Sequence, residues 1–294
     1  MNDPFIGAPQ AAHRGLVYHI PRKLSTPAGF RVYLFPGLCY NECMKKTKKE
    51  LNSMNYGIQM YSLRDAVAAD YHQALQTVAA QGYKMAELFG GMQPSAQIIR
   101  QWADEAGLTI SGTHTGADAL TEEKLEKTIE DHHTLGCNLL IIPGHDLSTK
   151  EKLDGFIALM NWVQPILAEN GITLAYHNHS HEFVPNQDGQ IIYDEIVSRT
   201  SMKLELDTYW AYNAGKDPLQ MMDELKDRLV AIHLKDGCMG GKGMPLGKGT
   251  APVKQVWQKA RDMGLVMVVE SETLQPDGPT ETGECMAYLH SLEG

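Results

Sequence analysis

With 294 residues, 43% hydrophobic and 21% charged, the chain has the make-up of a soluble globular protein with room for one large domain. No apolar run approaches the ~18–20 residues of a membrane span, and no basic region followed by a long apolar core opens the chain, so neither a membrane segment nor a secretory signal is read. A formal net charge of −10 argues against non-specific nucleic-acid binding, which needs a cationic surface to displace counterions from phosphates.

A cytoplasmic location is the resulting expectation. The five cysteines (Cys39, Cys43, Cys137, Cys238 and Cys285) lack the paired spacing of a zinc site or disulfide framework and read as reduced thiols. Charge is uneven: residues 1–53 carry 8 Lys and Arg against 3 Asp and Glu, leaving 18 against 33 for the remainder. That first segment also holds 5 of the 14 prolines and no sustained hydrophobic period, so it reads as a disordered extension. Met44 and Met54 stand just ahead of the first regular pattern, and a biological start at one of them would make the upstream residues a start-site artefact.

From residue 55 onward strands and helices alternate. Tyr56 to Ser62 reads as a first strand, followed by an amphipathic helix from Tyr71 to Gln81 closed by Gly82. Met85 to Gly90 is a second strand, with a helix from about Ser95, a good N-cap residue, to Ala106. Thr109 to Thr115 is a third strand, and a helix begins near Thr121, its acidic first turn at Glu122 and Glu123 suiting the positive end of the helix dipole. Leu139 to Ile142 is a fourth strand, and a helix from about Thr149 to Glu169 leads to Leu174-Ala-Tyr-His-Asn-His-Ser-His-Glu-Phe183, a fifth strand that opens into three histidines and a glutamate. Helices near Tyr193–Arg199, Pro218–Lys226 and Val253–Met263 separate the sixth strand (Lys203 to Asp207), the seventh (Leu229 to Asp236) and the eighth (Val266 to Glu270). A last helix covers about Glu281 to Leu292. Eight such units predict a closed (β/α)8 TIM barrel over residues 55–294.

The last four strands share one design, apolar first and carrying a potential metal ligand last. His177, Asp207, His233 and Glu270 lie 30, 26 and 37 residues apart, about one strand-plus-helix unit each time. Side chains at the carboxyl ends of successive barrel strands converge, because that face carries the site. Alternation along the strands puts Gln59, Glu87, His114, His177, Asp207 with Glu205, and His233 with Lys235 on the inward side, while Ile232 and Leu234 face the helices. Clustered carboxylates repel one another and are costly to bury without a cation, so a divalent metal is expected. Mixed imidazole and carboxylate ligands suit Mn²⁺, Co²⁺, Zn²⁺ or Fe²⁺, with Mg²⁺ less favoured. Glu182 is an alternative to His177 as the fifth-strand ligand.

Gln59, Glu87 and His114 are candidates for substrate hydroxyl contacts or for support of the ligands. Trp210 could floor a sugar site or pack ordinarily. Lys235 could reach a substrate oxygen or, with Asp236, form an exposed pair past the strand end. His179 could be a proton shuttle or a loop histidine without a role. The glycine-rich run from Gly237 to Gly249 lacks Walker-A order and reads as a mobile active-site loop.

Several motifs together resemble the sugar phosphate isomerase/epimerase family of xylose-isomerase-like barrels. They are Gly57-Ile-Gln-Met-Tyr-Ser-Leu-Arg64, Tyr176-His-Asn-His179 with Glu182-Phe183, Leu206-Asp-Thr-Tyr-Trp210, Ile232-His-Leu-Lys-Asp236, Leu246-Gly-Lys-Gly249 and Val269-Glu270. The resemblance covers residues 55–294. It implies one Mn²⁺-like ion held by His177, Asp207, His233 and Glu270, a small-molecule sugar or cyclitol substrate, and a homo-oligomer, since such barrels often pair. Ketose 3-epimerases of this family carry a glutamate where this chain has His177, and the His-Asn-His pattern is closer to inosose-dehydratase-like members.

The chemistry so implied is metal-assisted proton transfer beside a carbonyl, through a metal-stabilised enediolate, with Glu270 as leading base and His177 or His179 on the opposite side. Reprotonation gives isomerisation or epimerisation, whereas loss of a β-oxygen substituent makes the enzyme a dehydratase or lyase on an inosose or 3-keto-glycoside. A nuclease resembling endonuclease IV would want several metal ions and a basic cleft, against the acidic balance of this barrel. A non-catalytic sugar-binding barrel is the third class.

Overall fold

Residues 54–294 are described by the computed structural model; the reading of residues 1–53 as an extension or start-site artefact lies outside the described residues. From Tyr56 onward, eight parallel strands form the barrel: β1 (Gly57–Gln59), β2 (Met85–Leu88), β3 (Thr109–His114), β4 (Leu139–Ile142), β5 (Thr173–His177), β6 (Lys203–Asp207), β7 (Leu229–Gly237) and β9 (Val266–Glu270). A two-residue strand, β8 (Gly243–Met244), folds back antiparallel on the end of β7. Because β9 pairs in parallel with both β7 and β1, the sheet closes, and the fold is the (β/α)8 barrel expected from the alternation of strands and helices.

Most helices fall where capping and periodicity put them. Tyr71–Gln81 and Val253–Met263 keep their expected bounds, and the side chains of Ser95 and Thr149 cap Ala96–Ala106 and Lys150–Glu169 by accepting from backbone N–H groups. Three local differences have local causes. The first strand stops at Gln59 because its side chain accepts from the Tyr61 N–H at 3.0 Å and starts a 3₁₀ turn, Met60–Leu63. The helix expected near Thr121 begins at Leu125, after a 3₁₀ turn at Ala117–Leu120. A short helix, Thr208–Asn213, directly follows β6 because Asp207 caps it, accepting from the Trp210 N–H at 2.7 Å.

The two faces of the strands carry different chemistry. Outward residues such as Ile58, Leu140, Leu174, Leu204, Ile232, Leu234 and Val269 are buried under the helices, each worth roughly 1.5–3 kcal/mol of apolar burial. Inward, the lower layer is apolar. A Cβ on Gly112 would lie 2.7 Å from Ile141 Cδ1 and 3.1 Å from Glu87 Oε2, so glycine there lets these side chains cross the interior. Above it, backbone register sets polar residues side by side: Gln59 with Glu87, His177 with Glu205, Asp207 with His233, and Lys235 with Glu270. Register shifts fall at Ala86/Glu87 and Leu204/Glu205, next to two of these carboxylates.

Candidate metal centre

Four strand ends converge at the carboxyl face. His177, Asp207, His233 and Glu270 each offer a donor atom within 4.8 Å of the others, and all four are buried. His177 Nε2 and His233 Nδ1 lie 4.0 and 3.9 Å from Asp207 Oδ2, and His233 Nδ1 is 3.1 Å from Glu270 Oε2. The ends of β5 and β6 are levelled by Asn178, whose amide donates to the Asp207 carbonyl at 3.2 Å and accepts from its N–H at 3.1 Å.

The ring nitrogens facing away from this point are also held. His177 Nδ1 donates to Glu205 Oε2 at 3.2 Å, and His233 Nε2 donates to Glu87 Oε1 at 2.7 Å. Carboxylates in that position fix the orientation of a ligating imidazole and raise its basicity. Gln59 donates to the same Glu87 oxygen at 2.8 Å, and His114 Nε2 lies 3.1 Å from Glu87 and 3.0 Å from Glu205. Gln59, Glu87 and His114 thus lie behind the two histidines, on the side away from Asp207. Glu205 was not among the expected site residues; its only sequence signal was its inward alternation with Asp207.

Burial and charge set the protonation states. Burial, reinforced by repulsion from Glu87, pushes the Glu205 carboxyl up to about 7 against the pull of His233 and His114. Burial also raises Asp207, to about 6, with Glu270 adding repulsion and Lys235 opposing. His177 is held well below the ordinary imidazole range by burial and by the neighbouring His233 and His114. Burial would lower His233, but Glu205 and Glu87 carry it well above its ordinary value. Burial would likewise raise Glu270, yet Lys235 and His233 hold it well below the carboxylate range.

Two features fit a cation. Asp207 Oδ1 is used in capping, while Oδ2, aimed into the group, is buried without a hydrogen-bond partner. Two imidazole nitrogens and two carboxylate oxygens are a donor set that divalent transition ions accept. This buried cluster could hold a metal ion.

Lys235 and Asp236 are not an exposed pair; both are buried. The Lys235 ammonium reaches Glu270 at 2.9 Å and Glu272 at 2.8 Å, with Asp207 at 3.6 Å and the half-buried Trp210 ring at 4.7 Å. Glu272 is a second partner missed in sequence, signalled only by its spacing of two from Glu270. Asp236 turns the other way: it accepts from the N–H groups of Gly237 (2.8 Å), Gly247 (2.9 Å), Gly249 (3.0 Å) and Ala251 (3.2 Å), so the glycine run expected to be mobile is gathered on an internal carboxylate.

His179 lies beside the group, its ring centroid 5.1 Å from His177 and 6.0 Å from Trp210. Glu182 faces elsewhere. It accepts from the Tyr176 hydroxyl at 3.1 Å and the His179 N–H at 2.8 Å, which groups it with His179 and His181.

Among the described residues no helix is long and apolar enough to cross a membrane, and Cys137, Cys238 and Cys285 are free thiols. Among curated proteins no sequence matches. Solved structures similar to the chain include a sugar phosphate isomerase/epimerase from Parabacteroides distasonis, 24% identical over 81% of this chain and 93% of that one, with a TM-score of 0.67. Others are the probable 3-DHS dehydratase AsbF from Bacillus anthracis (14%, 81% and 99%, 0.64) and a family 2 AP endonuclease from Brucella melitensis (15%, 81% and 99%, 0.65). At these identities the likeness is one of fold, and the neighbours span three different reactions. The family model described as a xylose isomerase-like TIM barrel matches residues 75–292, and the chain belongs to that family.

Proposed function

We propose that this barrel is a metal-dependent isomerase or epimerase that moves a proton beside the carbonyl of a keto-sugar or cyclitol. The observation carrying the reading is the buried set His177, Asp207, His233 and Glu270, with each histidine backed by a carboxylate and Asp207 Oδ2 without a hydrogen bond. A divalent ion held there, Mn²⁺ first among Co²⁺, Zn²⁺, Fe²⁺ and Mg²⁺, would supply Lewis-acid stabilisation of the enediolate that forms when the α-proton leaves.

The chain's own groups divide the remaining work. Glu270, kept ionised beside Lys235 and His233, is the carboxylate assigned to accept the α-proton. Lys235, an ammonium fixed between Glu270 and Glu272, donates a hydrogen bond to a substrate oxygen on which negative charge builds. His177 is held neutral, and His179, its ring centroid 5.1 Å from that of His177, is the imidazole assigned to return a proton to carbon or to help expel a hydroxide. Trp210 lies under the Lys235 ammonium and offers an aromatic face to a sugar ring.

Dehydration of an inosose or 3-keto-glycoside is the second reading. It is favoured by a single specific feature, an imidazole at the end of β5 where a symmetrical two-carboxylate epimerisation would want a glutamate. The similarity to a structure named as a dehydratase is compatible with it.

The test is metal analysis of purified protein by inductively coupled plasma mass spectrometry, with His177→Ala and His233→Ala beside the wild type. About one tightly held equivalent, lost in both variants with the circular dichroism spectrum unchanged, supports the centre. Screening keto-sugars and inososes for metal-dependent exchange of the α-proton with deuterium then separates the two reactions. A wild type that binds no divalent ion after reconstitution sinks the reading.

A further inference from the structure

A second group of donors sits outside the cluster already described. After β5, the chain turns through Ser180 into the 3₁₀ turn His181–Phe183, and this turn folds Glu182 back so that Oε2 accepts from the His179 N–H at 2.8 Å. The same turn brings His179 and His181 into a stack, with ring centroids 5.7 Å apart and planes 21° from parallel. Glu182 Oε1 lies 3.4 Å from His181 Nε2 and 3.9 Å from His179 Nδ1, and the three residues each offer a donor atom within 4.8 Å of the others. Zinc–nitrogen and zinc–oxygen bonds of about 2.0–2.2 Å put tetrahedral ligands roughly 3.4 Å apart, so the two edges that meet at Glu182 Oε1 are at or near that spacing and the histidine–histidine edge, within 4.8 Å, is the one that closes on an ion.

The surroundings suit an ion as well. Glu182 is fully buried and is steadied by the Tyr176 hydroxyl at 3.1 Å, a hydrogen bond that orients a ligating carboxylate. The His181 side chain is 42% exposed, which leaves an entry path and room for a water ligand.

We propose that His179, His181 and Glu182 form an outer site for Zn²⁺ at the rim of the barrel mouth, independent of the inner four residues. Zinc there would engage His179 and withdraw it from proton transfer, so occupation would inhibit turnover; this consequence rests on the functional reading above, whereas the site does not.

The experiment titrates metal-free full-length protein with ZnCl₂, removes loosely held ion on a desalting column and counts the zinc retained. Wild type is expected to retain one equivalent more than His181→Ala, an exposed change that leaves the fold intact. Asp207→Asn, which alters only the inner group, should keep the His181-dependent equivalent even where inner binding is lost or was never present. In His181→Ala, zinc affinity of that equivalent should fall at least tenfold. Equal zinc retention by wild type and His181→Ala overturns the proposal, as does an extra equivalent that survives in His179→Ala.

Discussion

His132 is a fully buried imidazole whose two nitrogens meet different partners. Nδ1 lies 3.2 Å from the Cys137 carbonyl, which can only accept, so Nδ1 carries the proton and Nε2 accepts from the Thr113 hydroxyl at 3.0 Å. Burial holds this neutral form, pushing the imidazole down to about 4. An exposed histidine protonates near 6.5, so between the two values the unfolded chain binds more protons and stability is lost as pH falls. At about 1.36 kcal/mol per pKa unit, His132 alone accounts for ~3 kcal/mol across that window. Replacing it by asparagine, which keeps a donor toward Cys137, should flatten the slope of melting temperature against pH between about 4 and 6.5; an unchanged slope would assign the loss to other groups. Side chains of this kind were only half legible in sequence. Alternation gave the inward direction of Glu205, but not that its carboxylate would meet His177 and His114, because that depends on rotamers and on the register of β5 against β6.

Between single side chains and the whole barrel lies the segment after β7. A run of glycines and lysines looks mobile in sequence because glycine costs conformational entropy to order and brings no side chain to pack. What orders it is Asp236, distant by up to 15 residues from the amides it collects. The approach is close: a Cβ on Gly249 would meet Asp236 Oδ1 at 2.3 Å and the Gly237 nitrogen at 2.4 Å. The same principle hid the helix Thr208–Asn213, since Asp207 was read as a strand-end ligand and is also that helix's cap. Because hydrogen bonds to charged groups are worth about 1.5–3 kcal/mol each when lost to solvent-inaccessible amides, Asp236→Asn should lower stability by roughly 2 kcal/mol or more. It should also speed native-state hydrogen exchange at the amides of Gly247 and Gly249. Exchange there as slow as in wild type would mean that the β7–β8 hairpin, not Asp236, holds the segment.

The barrel itself was the most legible feature, because strand-plus-helix length and inward polarity are properties of sequence spacing rather than of rotamers. Spacing alone also brought His177, Asp207, His233 and Glu270 to one end, where the folded chain assembles them within 4.8 Å. That assembly runs against stability in the bare protein. It buries Asp207 beside Glu270, with Asp207 Oδ2 lacking any hydrogen bond and the Lys235 ammonium no nearer than 3.6 Å, and a buried carboxylate whose desolvation is not fully offset weakens a fold. Asp207→Asn keeps the oxygen that caps Thr208–Asn213 and removes a charge that burial and Glu270 disfavour. In chelator-treated protein it should therefore melt no lower than wild type, and higher if repulsion from Glu270 dominates. Adding Mn²⁺ at about a hundred times its dissociation constant should stabilise wild type by ~2.7 kcal/mol, which for a barrel of this size corresponds to roughly 5–10 °C in melting temperature. The variant should show little of that gain. A variant that melts well below metal-free wild type would mean that the carboxylate of Asp207 serves the fold through Lys235 and His233, and a variant that gains as much from Mn²⁺ as wild type would remove Asp207 from the metal centre.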